Sequence, residues 1–454
     1  MHTGNQESTT TPKAEPVQVV QAATQPQVLP EAEAGAFTPA KSEEVPGARF
    51  RNKTIRQLAL VAMIFVAFIA LGLPDGLLGV GWPSIRTGFG VPLDSLGLLL
   101  FTSMSGYLLS SFFSGAIERR LGVGKLLIVS CLLTGLGLLG YTLVPQWWMM
   151  VSLGLLAGLG AGGIDSSLNA YVAGHYGAGL MQWLHASYGI GVTIGPLLMT
   201  YFLTRTAEWR SGYLVVGGFQ LLLALTFFLS LSLWPKHTRG SAQVADEATR
   251  LHGSRPGLLQ TLKKGSTLIG LLQFFIYTGC EVMLGIWAFS LLTEGRSVAP
   301  GLAGLIAGSF WGFFTVGRIL AGLAAYKLNM RKLVMAALLL ALAGVVLLAW
   351  NQSPTSSLIA VSLIGFAYAP IFPGLVTGTE SRVGKRHLNN AVGMQTAAAG
   401  LGGTVITSVV GVLARRFGLN IVPFILLGLI AFLIVIVFLA SRMRAGDATI
   451  SSQS

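Results

Sequence analysis

The chain has 454 residues, 53% of them hydrophobic and only 10% charged, with a mean hydropathy of +0.69, and a water-soluble globular chain does not carry so few charges. The formal net charge is +13, but the basic residues sit in short loops between apolar runs rather than in a patch interleaved with aromatics, which argues against nucleic acid as a partner. Cys131 and Cys280 are the only cysteines and both fall in apolar segments, so there is no disulfide framework and no paired-cysteine metal site, and no metal or cofactor is expected.

Residues 1–52 are rich in Pro, Gln, Thr, Ala and Glu without an apolar period, a composition that cannot bury enough surface to offset chain entropy. The expectation is a disordered tail, and not a signal peptide, since a basic start, an apolar core and a small-residue cleavage site are all missing. From about residue 55 on, apolar runs long enough to cross a ~30 Å hydrocarbon core recur with little interruption. Twelve are expected, over about 56–81, 93–117, 124–143, 147–173, 180–204, 211–235, 264–292, 301–325, 332–350, 356–380, 388–413 and 419–441. They are apolar on all sides and do not alternate every second residue, so helices fit and a barrel does not. The stripe Gly154, Gly158, Gly162, spaced at four, lets helices approach closely.

Basic residues set the orientation. With both termini in the cytoplasm, only Arg86, Arg205, Arg210, Arg296, Arg415 and Arg416 of the 30 Lys and Arg fall outside, and Arg318 lies within a helix; that bias favours this topology. The longest loop, 236–263, carries Lys236, Arg239, Arg250, Arg255 and Lys263 and divides the helices six and six. It reads as a cytoplasmic linker between an N-terminal half (56–235) and a C-terminal half (264–441), with a short tail at 442–454.

An internal repeat supports the division. LPDGLLGVGW (73–82) in the first helix and GCEVMLGIW (279–287) in the seventh each place an acid, Asp75 or Glu281, four residues before a Gly and shortly before a Trp. SGAIERRLGVGK (114–125) after the second helix and AGLAAYKLNMRK (321–332) after the eighth each place Gly and then basic residues in a turn. Parallel halves of this kind hold the substrate site between them near the bilayer midplane.

Ionisable residues inside the apolar helices are few: Asp75, Asp165, Glu281 and Arg318, with His185 nearby. Such a group costs roughly 2.5–3.5 kcal/mol at the centre of a spanning helix on insertion scales, so it needs a cavity, a partner or a function. Desolvation disfavours the charged form of a carboxylate, as a reversible proton carrier requires, and Asp75, Asp165, Glu281 and His185 are the candidates for proton coupling. Asp165 and Asn169, four apart, share a helix face with Gly158 and Gly162. Asp75 follows Pro74 and is bracketed by Gly72 and Gly76, which predicts that the first helix loosens there. Arg318 lies about seven residues from the cytoplasmic end of its helix and is read as a structural residue that snorkels or pairs with loop acids. His185 is read either as a proton shuttle with Asp165 or as a neutral packing residue. Trp82, Trp287, Tyr188, Asn169, Gln273 and Gln395 are candidates for the substrate cavity, the tryptophans alternatively serving as interface anchors.

The turn after the second helix resembles the loop signature of the major facilitator superfamily, written approximately G-x-L-a-D-R-x-G-R-K. Arg119 stands at the usual Asp position and the acid is Glu118, with Arg120 next; the resemblance implies a gating role for these three. Asp75 together with DSSLN (165–169) resembles the fucose-proton symporter family of that superfamily, in which one acid in each of those helices serves proton coupling and sugar binding. YTGCEVMLGIW (277–287) and GFAYAPIFPG (365–374) are similar to its sugar-permease-like relatives. The resemblance, over about 56–441, implies an all-α membrane protein of twelve helices in two pseudo-symmetric halves, a monomer in the cell membrane that moves a small neutral sugar or polyol inward with a proton.

A proton-driven exporter of hydrophobic or cationic compounds would use the same buried acids and stays open as the alternative. A membrane enzyme would need a catalytic constellation, yet the chain has neither an HExxH metal motif nor a GxSxG elbow, so no enzyme activity is expected.

Overall fold

The computed structural model describes residues 46–176, 178–234, 257–324, 329–350 and 353–442. Residues 1–45 of the expected tail, 443–454 at the other end, and most of the 236–263 linker, with Lys236, Arg239, Arg250 and Arg255, lie outside the described residues. The helix that enters the first span starts at Pro46, so the end of the expected tail is helical.

Lys53–Ser454 form one compact unit. Its described residues hold twelve segments long and apolar enough to cross a membrane: α1 (Arg56–Phe89), α2 (Leu93–Leu121), α3 (Val123–Leu143), α4 (Trp147–His175), α5 (Leu180–Arg205), α6 (Trp209–Leu229), α7 (Gly265–Gly295), α8 (Pro300–Gly322), α9 (Met330–Trp350), α10 (Pro354–Val383), α11 (Asn390–Phe417) and α12 (Leu419–Ser441). The face where α1 begins and α12 ends is called proximal below, the opposite face distal.

The two halves repeat one packing plan. In the first, α2 packs on α4 and α3 on both α4 and α6; in the second, α8 packs on α10, α9 on α10 and α12, and α7 on α11. Small residues make these contacts possible. A Cβ at Gly158 or Gly162 of α4 would run into the α2 carbonyl oxygens of Ser103 and Tyr107, and one at Gly365 of α10 would run into that of Phe310 in α8. The α1–α5 seam uses Gly72, Gly76, Gly191 and Gly195, and the α7–α11 seam uses Gly279 and Gly402 in the same way.

The sequence reading ended the first helix near residue 81 and loosened it at Pro74; both points need correction. α1 stays helical through Pro74 and Pro83 to Phe89, and Gly72 and Gly76 serve the seam with α5 rather than a break. Proline lacks the N–H that would bond the carbonyl four residues earlier, here that of Ala70. Gln220, buried in α6, donates its Nε2 to that oxygen at 2.9 Å, so the missing bond is replaced from a neighbouring helix, as an apolar surrounding requires. A true interruption occurs in α10, where the run Pro354–Tyr368 ends and a second run starts at Ile371 after Pro370. Tyr277 of α7 donates to the Tyr368 carbonyl at 2.8 Å there.

The halves meet at the distal end. One apolar core there takes in Leu77, Trp82 and Leu96 of the first half with Met283, Trp287 and Phe310 of the second, whereas the proximal end of the first half has a core of its own around Phe68, Leu127, Leu168 and Phe227. Two ion pairs span the halves at the distal face, Arg86 with Glu294 at 2.9 Å and Arg415 with Asp94 at 3.1 Å. The glycines of the internal repeat also meet, a Cβ at Gly79 lying within 2.7 Å of the Gly285 carbonyl oxygen. The halves also pack along α5 with α8 and along α2 with α11, as far as Gly189 beside Thr315 and Met104 beside Gly400; beyond those contacts, on the proximal side, the exposed Asp75 marks a cleft between them.

Candidate functional site

Carboxylates from three helices gather where the cleft ends. Asp165 on α4 accepts a hydrogen bond from the Tyr107 hydroxyl of α2 at 2.6 Å through one oxygen and from Asn169 Nδ2 at 3.0 Å through the other. Asn169 donates as well to the Asp165 backbone oxygen at 2.9 Å, which holds the pair one helical turn apart. The glycines before Asp165 set this geometry, since they bring α4 close enough to α2 for the phenol to reach the carboxylate. Asp75 on α1 accepts from the Tyr188 hydroxyl of α5 at 2.7 Å, across the glycine seam that joins those helices. Asp75 is exposed although Leu73 and Leu77 beside it are buried.

The second half contributes Glu281, which interacts with Tyr277 one turn earlier on α7 and with the charge of Arg318 on α8. The guanidinium of Arg318 lies over the Phe314 ring, 4.2 Å from its centroid, in the range of a cation–π contact. Its Nε is buried without a hydrogen-bond partner. Arg318 thus points into the bundle and does not reach for a loop. His185 on α5 packs at right angles to Phe68, ring centroids 6.0 Å apart, and lies near the charge of Arg318, whereas the Asp165 carboxylate is bonded to Tyr107 and Asn169. Asp75 lies within electrostatic range of Asp165, and Tyr188 within that of Glu281, so the cluster draws on both halves.

Other expected cavity residues lie elsewhere. Trp82 and Trp287 are 0% and 1% exposed and donate their indole N–H groups to the carbonyls of Leu93 and Thr407 at 3.1 and 3.0 Å. They fasten α1 to the start of α2 and α7 to α11, and neither offers a ring face to the cleft. Gln273 and Gln395 are buried at the proximal end of the second half, where Gln273 accepts from Arg382 and Gln395 from Thr379 at 3.0 Å. Arg382 also donates to the carbonyls of Gly378 and Leu375, tying the end of α10 to α7. Glu118, Arg119 and Arg120 close α2 before the turn at Gly122, whose φ of 79° suits glycine; they stand apart from the carboxylate cluster. Tyr107 had no signal in the sequence beyond being a tyrosine inside an apolar helix, and Tyr277 and Tyr368 stood there only as members of segments that carry the family resemblance.

The sequence model of the Major Facilitator Superfamily matches residues 63–405 and 269–453. The chain belongs to the major facilitator superfamily. Among curated relatives of this transporter, it is similar to bypass of stop codon protein 6 of Saccharomyces cerevisiae, 23% identical over 402 residues, covering 82% of this chain and 80% of that protein. It is similar also to the glucose/mannose transporter GlcP of Bacillus subtilis, 21% identical with coverages of 76% and 86%. The human sodium-dependent glucose transporter 1 is 25% identical, with coverages of 78% and 73%. Among solved structures, the nucleoside transporter NupG superposes with a TM-score of 0.69 at 12% identity, over 83% of this chain and 98% of that one, a likeness of fold.

α1, α4 and α7 thus bring their acids within electrostatic range of one another or of each other's tyrosine partners. Each carboxylate of the cluster has a partner on another helix or one turn away, and Arg318 is the cation beside them.

Proposed function

We propose that the protein is a secondary active transporter that takes up a small, neutral, polyhydroxylated molecule, a monosaccharide or polyol, together with a proton. The observation that carries this reading is the pair of tyrosine-capped acids, Asp75–Tyr188 and Asp165–Tyr107, at the end of a cleft shared with Glu281. Carboxylates, phenols and the Asn169 amide exchange hydrogen bonds with hydroxyl groups in both directions. A carboxyl group whose surroundings alternate between solvent and apolar protein takes up and releases a proton as the cleft changes sides. The hydroxyl proton of Tyr277 is used on the Tyr368 carbonyl, so its oxygen is free to accept from a protonated Glu281. The names of two relatives, a glucose/mannose transporter and a sodium-dependent glucose transporter, support a sugar as substrate. The second of them makes sodium the alternative coupling ion.

The proximal face is assigned to the cytoplasm from the distribution of basic residues. Reporter fusions after Arg51, within 236–263 and after Ser441 should all report cytoplasm, and an external signal from the linker would contradict the six-plus-six topology. Substrate and coupling ion are tested together by adding candidate sugars to de-energised cells in sodium-free medium and following external pH. Alkalinisation with a sugar supports proton symport. Sugar uptake only when sodium is restored would assign sodium, and export of organic cations with no response to any sugar would overturn the reading in favour of an exporter.

A further inference from the structure

Away from the cleft, a groove of about 690 Å³ lies between α2, α3 and α4, a size in the ~300–1,000 Å³ range of cavities that hold small ligands. Its inner wall is formed by buried Ser130 and Gly163, its open sides by the exposed apolar residues Leu109 and Phe113, and one end by Arg119 and Arg120. The groove follows from the helix packing. A Cβ at Gly163 would run into Ser130 Oγ, so α3 and α4 pack closely behind it, while α2 is tied to α3 only through the turn at Gly122 and leans on α4 along its glycine face. Leu109 stands twelve residues before the end of α2, so the groove runs about 18 Å from the proximal membrane surface towards mid-depth, at ~1.5 Å per helical residue.

Arg119 and Arg120 are exposed at the last turn of α2, and neither has a side-chain hydrogen bond or ion pair among the described residues. Exposed Lys125 follows one turn into α3. An apolar channel with cations at its surface end complements an amphiphile whose head is an anion. Arginine forks match phosphate oxygens, and the apolar walls suit an acyl chain.

We propose that the groove binds one anionic phospholipid from the proximal leaflet, its acyl chain between α2 and α3 and its phosphate on Arg119 and Arg120. The full-length protein, titrated in neutral detergent with phosphatidylglycerol or phosphatidylcholine and observed by native mass spectrometry, should retain one phosphatidylglycerol in preference to phosphatidylcholine. Basic groups near a membrane surface give about fivefold each, so two give a preference of roughly thirtyfold. The double variant Arg119→Gln/Arg120→Gln should lose that preference, and Ala116→Trp, which fills the groove while keeping both arginines, should lose the bound lipid. Melting temperature and monodispersity report whether each variant is folded; if the double variant does not fold, Ala116→Trp decides alone. An unchanged preference for phosphatidylglycerol in the folded double variant, or unchanged lipid retention in folded Ala116→Trp, would overturn the assignment to this groove. Glycerol phosphate competing as well as the whole lipid would overturn it too, by showing a free-anion site that needs no chain.

Discussion

A single proline in a spanning helix creates a problem that has to be solved within the bilayer, where no water can bond the stranded carbonyl. In α1 the carbonyl of Ala70, left without a donor by Pro74, is bonded by Gln220 of α6. Replacing Gln220 by Leu leaves that oxygen unpaired at a cost of about 1–3 kcal/mol, offset in part because the buried Gln220 Oε1, itself without a partner, is removed with it. The melting temperature should fall in Gln220→Leu and recover in the Gln220→Leu/Pro74→Ala double variant, where residue 74 regains its N–H. Additive losses in the two single variants and the double variant would contradict this account, since residues sharing one partner group should couple.

The contact between α2 and α4 shows how elements position the site. Asp165 meets Tyr107 because Gly158 and Gly162 let the two backbones touch. Gly158→Ala should destabilise by at least the ~1–3 kcal/mol typical of overpacking and weaken substrate binding with it. The control Gly218→Ala, where nothing lies within 4 Å, should be neutral or mildly stabilising, as alanine is the better helix former by about 1 kcal/mol. Equal thermal stability of the two variants would contradict the close contact.

At this scale much was legible in advance, because length and hydropathy define a spanning helix and the repeat around Asp75 and Glu281 defines the halves. Intramembrane acids also announce themselves, since apolar surroundings make them costly. What the chain did not reveal is which neutral groups answer them. A tyrosine such as Tyr107 or Tyr277 suits lipid, core and site alike, and only the helix seams bring it to a carboxylate. Trp82 and Trp287 misled for the matching reason: their spacing from the acids is a property of the helix, whereas their rings turn into the seams with α2 and α11. The reading of Pro74 failed because the compensating group, Gln220, lies 146 residues further along the chain.

For the molecule as a whole, the two distal ion pairs and the shared distal core hold the halves together on one face, while the carboxylates lie at the end of the cleft on the other. In the transport cycle we propose, those distal contacts open when the proximal side closes, so that Asp75, Asp165 and Glu281 pass from one aqueous phase to the other. We propose that a proton on this cluster travels with the substrate and that Asp165 couples the two. This coupling is tested by accumulation in proteoliposomes under an inside-negative potential of about 100 mV, with the sugar that gives the pH response. One charge moved through that potential carries about 2.3 kcal/mol, enough for roughly 50-fold accumulation at ~1.4 kcal/mol per tenfold. The wild-type protein should approach that gradient, and Asp165→Asn should abolish it while still exchanging labelled for unlabelled sugar. Uphill accumulation in Asp165→Asn equal to that of the wild type would contradict the account.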